Sequence, residues 1–426
     1  MSGREWSVCP VWLNTCRWVS CRFFRLLRGV RGRPQGGRWN RLGVLSLALL
    51  LGLQVLGCAE DLVAPQASSL TGLTYTNRLI HGVPWSIHVV RLERTNSLYE
   101  IHTLHAGGKA IGLDTLSGQV AGFDRRFGTV MAAINGDFYH RDGTYAGAPY
   151  GLQVAEGELL SAPSGAPSVW IDAQGQPHLG KISSAFQVVW PDGSTASFRL
   201  NGERRWDGLE LYTQAVGRST RTAGGREIIL ETAGGGTWLP LRAGEVYSAR
   251  VREIRQAGNT RIEPGTMVLS AGPALAPRLP SLSISNVLRL STATLPALHG
   301  VRAAISGDPI LVSNGLAQKG STARAMGYHQ HSMEQRHPRA AVGWNQQYFF
   351  LVEVDGRQWD LSVGMSLDEL SDYLVRLGCE QAMNFDGGGS ATLWFKGEVR
   401  NSPCENAERE ISNCLAITKR ESRSAR

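Results

Sequence analysis

Apolar and polar positions alternate along much of this chain in short runs punctuated by glycine, the pattern of strands joined by turns. Residues 85–92, 99–104 and 130–134 read as strands on this pattern. Further strand signals fall at 186–190, before Pro191-Asp192-Gly193, and at 227–231, before three glycines. Tyr348–Val354 is an apolar run of the buried-strand kind, closed by Asp355-Gly356. Residues 381–385 and 391–395 read as two more short strands. One segment changes period. Leu367, Leu370, Leu374 and Leu377 recur at helical spacing, so 367–377 is predicted as an amphipathic helix. Ser366 can cap it with Glu369 completing a capping box, and Gly378 stands where a helix stops.

Fifty glycines in 426 residues exclude an α-helical bundle, while 42% hydrophobic and 19% charged residues suit a globular chain with a real core. The predicted class is α+β: a mixed, β-rich sheet core with a few packed helices and a β-rich inserted subdomain at 181–300. No internal repeat stands out. Expected organisation is a leader at 1–57, a tether at 58–78 containing Pro65, Gln66 and two serines, and one large domain at 79–426.

Charge first suggests nucleic acid, then withdraws the suggestion. The formal net charge is +8, but residues 1–57 hold nine arginines against Glu5. Subtracting these from the totals of 44 basic and 36 acidic residues leaves 35 of each in the remainder. No basic footprint for DNA or RNA is left in the folded part. The leader instead reads as an export signal, with arginines before an apolar run at 42–56 that is short for a bilayer span. Its end, Val55-Leu56-Gly57-Cys58, resembles a bacterial lipoprotein cleavage box, so Cys58 is the expected lipid attachment. A plain secreted protein and an uncleaved anchor are the alternatives, and the long basic region also allows a start downstream of Met1. Localisation is expected at the bacterial cell envelope, with an acyl chain tethering the protein to a membrane surface. Cys404 and Cys414 flank a short polar loop and suit either a disulfide or two unpaired thiols. Without a CxxC pair, a cysteine zinc site is not expected.

Four segments combine a strand with candidate chemistry. In Asn384-Phe385-Asp386-Gly387-Gly388-Gly389-Ser390, three glycines permit close approach of a ligand, and successive amides can form an anion-binding concavity. Asp386 has the placement of a nucleophile, base or metal ligand; the alternative is a hairpin turn. In Asn135-Gly136-Asp137-Phe138-Tyr139, aromatics beside polar groups suit a sugar ring, against a plain Asn-Gly turn. Asp308 follows another strand and is equally readable as an Asp-Pro turn. In His337-Pro338-Arg339, the guanidinium matches phosphate oxygens and the imidazole can relay a proton, while a surface salt bridge is the bland reading. His329 and His331 are read as loop residues.

Taken together, these segments resemble the phosphodiester glycosidase family. The matching parts are residues 134–139, 307–315 and 337–343, Val354-Asp355-Gly356-Arg357, residues 364–378, and residues 384–390. Ser402-Pro403 and Glu408-Arg409 resemble the family's closing segment, and Leu211-Tyr212-Thr213 with residues 220–222 looks like the pattern of bacterial members. Members often carry glycine at the positions of Asp137 and near Asp308, which lowers both to supporting roles.

The resemblance implies hydrolysis of a sugar-1-phosphodiester at the anomeric carbon, releasing sugar and leaving a phosphate monoester. A phosphate leaving group needs charge stabilisation more than protonation. The implied roles are Asp386 as nucleophile or base, with Arg339 and the amides of Gly387, Gly388 and Gly389 on the phosphate. His337 supports them, and Asn135, Asp137, Asp308, Asn384 and Ser390 complete the binding surface. A divalent cation, Ca²⁺ or Mg²⁺, held by Asp386 with Asp137 or Asp308 is compatible with these oxygen ligands. The expected partner is a glycan containing sugar phosphate, with no nucleic acid. Two rivals stand beside this reading: a phosphodiesterase cutting the P–O bond, and a non-catalytic binder of surface glycans.

Overall fold

Two antiparallel sheets stack face to face and carry the candidate residues at one end. The computed structural model describes residues 66–106, 111–234, 238–319 and 334–421. The leader, Cys58, His329 and His331 lie outside the described residues. The larger sheet runs in the order Gln66–Leu70, Leu73–Ile80, Trp85–Glu93, Tyr348–Val354, Arg339–Trp344, Gln381–Asn384, Ile310–Ser313, Leu316–Ala317. The smaller runs Glu398–Val399, Leu393–Phe395, Thr129–Asn135, Asn413–Lys419, Tyr99–His105.

Tyr348–Val354 is almost wholly apolar because both of its faces are covered. Phe349 and Leu351 share a core with Ile134, Leu393 and Leu415 of the smaller sheet. Phe350 and Val352 instead share one with Leu370 and Leu374 of the helix Leu367–Arg376. Each such fully buried side chain contributes about 1.5–3 kcal/mol by leaving water. A short helix, Leu116–Ala121, shares a core with the smaller sheet through Leu116, Val130 and Ala416. The layers are thus helix, sheet, sheet, helix, a β-rich α+β arrangement as the sequence predicts.

The longer helix starts where its capping box places it. The Ser366 hydroxyl accepts from Glu369 N at 3.2 Å, and the Glu369 carboxylate accepts from Ser366 N at 2.9 Å. Gly378 follows it at φ +93°, a conformation only glycine adopts without strain.

One expectation is corrected, and one choice left open by the sequence is decided. The tether expected at 58–78 is in part sheet: Gln66–Leu70 and Leu73–Ile80 pair as a hairpin against Trp85–Glu93. Leu73 and Tyr75 point into the core, so period-two burial outweighs the polar residues around them. Cys404 and Cys414 are both free. Cys414 lies in a central strand of the smaller sheet, fully buried, and burial pushes its thiol well up.

Residues between 187 and 291 supply every strand of a further eight-stranded sheet. Its core is shared with a six-stranded sheet that includes Ser164–Ile171 and Ala303–Ser306. This half stands apart from the stacked pair in sequence and carries none of the leading candidates.

Candidate active site

Asp386 leaves the larger sheet just after Gln381–Asn384, and Asn135 closes the strand Thr129–Asn135 of the smaller one. Asn135 Nδ2 donates to Asp386 O at 2.6 Å, while its Oδ1 accepts from Thr392 N at 3.1 Å. Asp386 N in turn donates to Gly136 O at 2.9 Å. A side-chain amide can donate and accept at once, so one buried asparagine fastens the two sheets beside Asp386. Its part is to hold the Asp386 backbone in place.

Asp137 is buried and aimed by the backbone. Its Oδ1 accepts from Phe138 N at 2.8 Å and its Oδ2 from Gly151 N at 2.9 Å. Burial, then the charges of Asp386 and Asp308, push its carboxyl up to about 7. Asp386 is half-buried, and burial raises it too. The Ser390 hydroxyl, Gly387 N at 2.9 Å, and the charges of Arg409 and Arg141 pull the other way. Both carboxyls are thus raised by burial, but hydrogen bonds and arginine charges offset the rise at Asp386, whereas at Asp137 only two backbone amides do. Asp308 belongs to the same electrostatic group, and Asn384 Nδ2 donates to its carbonyl at 2.7 Å. Asn384 thereby acts as a brace inside the chain, buried with 3% exposed.

The glycines do something other than expected. Gly387 N is committed to Asp386 Oδ1, and Gly388 N to Pro338 O at 2.9 Å. Two of the three amides are therefore spent within the protein and do not form an open anion cradle. What the missing side chains provide is room for cations. A Cβ on Gly388 would sit 3.1 Å from the Arg357 guanidinium, and one on Gly389 would overlap that of Arg409.

Arg339 is likewise engaged within the protein. It is 6% exposed, with Nε donating to Met365 O at 2.8 Å and Nη2 to Gln335 O at 2.9 Å. Burial, then the charge of Arg357, brings it down to about 10. Its described bonds hold the backbone around the helix entry, whereas Arg357 is exposed and packs beside Gly388. Arg357 Nε and Nη2 approach His337 Nδ1 at 3.4 and 3.3 Å. Burial, then Arg339 and Arg357, lower His337, so it is neutral near pH 7. With Nδ1 accepting from Arg357, the ring proton belongs on Nε2.

Arg409 ion-pairs with Glu405 and reaches Ser390 Oγ at 3.4 Å. Ser390 is fully buried, and its hydroxyl also bonds toward Tyr139, whose own hydroxyl donates to Glu410 O at 2.8 Å. Sequence reasoning noticed the Asp-Gly-Arg and Glu-Arg pairs holding Arg357 and Arg409 without giving either a role. The one local signal was the Asp355-Gly356 turn, which leaves Arg357 at φ +60° and turned outward. Among the described residues, Asp386, Asp137 and Asp308 do not converge as a trio of metal ligands. His88, Glu353 and Asp355 do, and they lie elsewhere.

Residues 240–418 match the phosphodiester glycosidase family. A bovine (Bos taurus) N-acetylglucosamine-1-phosphodiester alpha-N-acetylglucosaminidase is 26% identical over 134 residues, 31% of this chain and 25% of the bovine one. The match thus spans a quarter of that relative's length. Two crystal structures share the fold. A hypothetical protein from Synechocystis aligns at 21% identity with TM-score 0.67, covering 84% of this chain and 64% of that one. A protein from Burkholderia pseudomallei aligns at 20% with TM-score 0.61, covering 78% and 74%.

Proposed function

We propose that this chain, whose residues 240–418 match the phosphodiester glycosidase family, is an exported hydrolase that cleaves a sugar-1-phosphodiester of a glycan. The observation that carries the reading is the charge of Arg409 and Arg141 acting on the half-buried Asp386, with the exposed Arg357 packed beside Gly388. Cations beside a carboxylate suit a substrate that brings its own negative charge.

The phosphate docks against Arg357 and Arg409, whose guanidinium forks match its oxygens. Asp386 faces the anomeric carbon as nucleophile or base. As the C–O bond breaks, its electrons pass to the phosphate, and His337 Nε2–H stabilises the departing oxygen. Asp137, protonated near neutral pH, supplies a proton close to Asp386. Trp359, two residues beyond Arg357 and 85% exposed, offers an apolar plate for a sugar ring.

Reaction in ¹⁸O-labelled water tests this on a panel of sugar-1-phosphodiesters. Label in the released sugar is the expected result. Label in the phosphate would mean P–O cleavage instead, and glycan binding without release would mean a binder. Export with lipid attachment at Cys58 belongs to the same proposal: labelled palmitate incorporated by the full chain should be lost in Cys58→Ala.

A further inference from the structure

A second polar group lies between the two sheets, away from the cleft. His88 and Glu353 are direct partners across the strand pair Trp85–Glu93 and Tyr348–Val354, and Asp355 follows the second strand. All three are buried, at 2%, 0% and 1% exposed. One ligand atom from each lies within 4.8 Å of the others.

These residues are packed where a β-sandwich ordinarily places leucine or valine. Two carboxyls facing each other in a dry interior repel, and among the described residues no Lys or Arg ion-pairs with either. Asp355 Oδ2 meets His88 Nε2 at 2.9 Å, and its Oδ1 accepts from Ser402 N at 2.7 Å. Glu353 Oε1 accepts from Asn401 Nδ2 at 3.1 Å. Its Oε2 is buried and has no hydrogen-bond partner. An orphaned buried carboxylate oxygen aimed at a histidine and a second carboxylate needs a positive charge or a proton.

We propose that His88, Glu353 and Asp355 bind a divalent ion of the Zn²⁺ or Mn²⁺ kind, which pins the turn presenting Arg357. A neutral imidazole with two carboxylates carries two negative charges, balancing a dication. The nitrogen ligand favours Zn²⁺ or Mn²⁺ over Ca²⁺ or Mg²⁺. His88 also has the supporting partner that metal-bound histidines use: Tyr75 OH lies 2.8 Å from its other ring nitrogen. Ser86 Oγ and Asn77 Nδ2 both lie 3.1 Å from Nε2, so their side chains border the same space. The link to the cleft is short. Asp355 is two residues before Arg357, its carbonyl accepts from Ser362 Oγ at 2.5 Å, and Ser402 ties it to the closing loop. The site rests on these residues alone and stands whatever reaction the cleft performs.

The competing account is a protonated Glu353 beside a His88–Asp355 ion pair. The two separate by metal analysis of the full chain, stripped with chelator and then dialysed against Zn²⁺, Mn²⁺ or Ca²⁺ in turn. The expected result is about one equivalent of Zn²⁺ or Mn²⁺ per chain, with a higher melting temperature than the stripped protein. Both should vanish in Glu353→Gln and His88→Gln. Glu353→Gln keeps the shape and removes a buried charge, so its stripped form should melt no lower than stripped wild type. It therefore reports on binding even if His88→Gln fails to fold. Wild type that takes up neither ion, takes up Ca²⁺ alone, or binds unchanged in Glu353→Gln overturns the proposal.

Discussion

Two acid-rich groups sit between the same two sheets, and they differ in what surrounds them. At the candidate site, the charges of Arg409 and Arg141 bear on Asp386, which keeps some contact with solvent, and Arg357 packs beside Gly388. Around Glu353 and Asp355 there is no cation side chain paired among the described residues, and every member is sealed. An open carboxylate with cations nearby is arranged for an incoming anion. A closed pair with a histidine is arranged for something that stays. The same residue types thus point to turnover in one place and to permanent occupancy in the other.

Neutralising the open group should have the larger effect. Asp386→Asn is expected to lower kcat by about 10³-fold or more with melting temperature unchanged or raised, as measured by sugar release and thermal unfolding. Full activity in that variant would remove Asp386 from the chemistry.

Asp137 offers a pH signature. Because its folded value of about 7 lies above its ordinary 3.8, the folded chain holds a proton there that the unfolded chain releases. The resulting stability is full below about pH 4 and is lost as pH rises through 7, a span worth a few kcal/mol. Asp137→Asn should flatten denaturation midpoints across that window. An unchanged slope would mean that the carboxyl is not buried as described.

Arg357→Ala should reduce kcat/KM by about 10²-fold, the scale of losing one charge-stabilising donor, with little change in stability. At the closed group the balance reverses. Asn401 bonds Glu353 Oε1, Ala391 O at 3.2 Å and, through Oδ1, Leu393 N at 2.9 Å. Asn401→Ala should therefore destabilise by about 2 kcal/mol while kcat changes less than in Arg357→Ala. If activity fell further than stability, the two groups would be one functional unit.

Much of the fold could be read from the chain, because burial on two faces leaves an unmistakable run such as Tyr348–Val354. The capped helix was equally legible, since Ser366 and Glu369 act locally. The hairpin at 66–80 was not, because its inward residues, Leu73 and Tyr75, are few and set among polar ones. At the candidate site, the glycines beside Asp386 drew attention to it, but the structure gives two of their amides to bonds within the protein. Whether a missing side chain makes room for a ligand or for the protein's own guanidinium depends on residues 30 or more positions away in the case of Gly388 and Arg357. The surroundings of Arg339 were illegible for a related reason: sequence shows a guanidinium but not which carbonyls it bonds, here those of Met365 and Gln335. His88 was not singled out at all, since it meets Glu353 only through pairing of strands 260 residues apart.

The chain path into the distal half has a consequence for how this protein can diversify. Ser184 and Thr294 are paired neighbours in one sheet, so the chain departs and returns at a single doorway. Sequence lengthened, shortened or exchanged between those residues need not disturb Asn135 or Asp386. The doorway is not a clean seam, however: Leu152, Val154 and Leu159 on the near side bury themselves against residues on the far side. Changes of length at the outer turns of this segment therefore leave the strand pair at the doorway in place, whereas polar substitutions on its inner face would unpack Leu152, Val154 and Leu159.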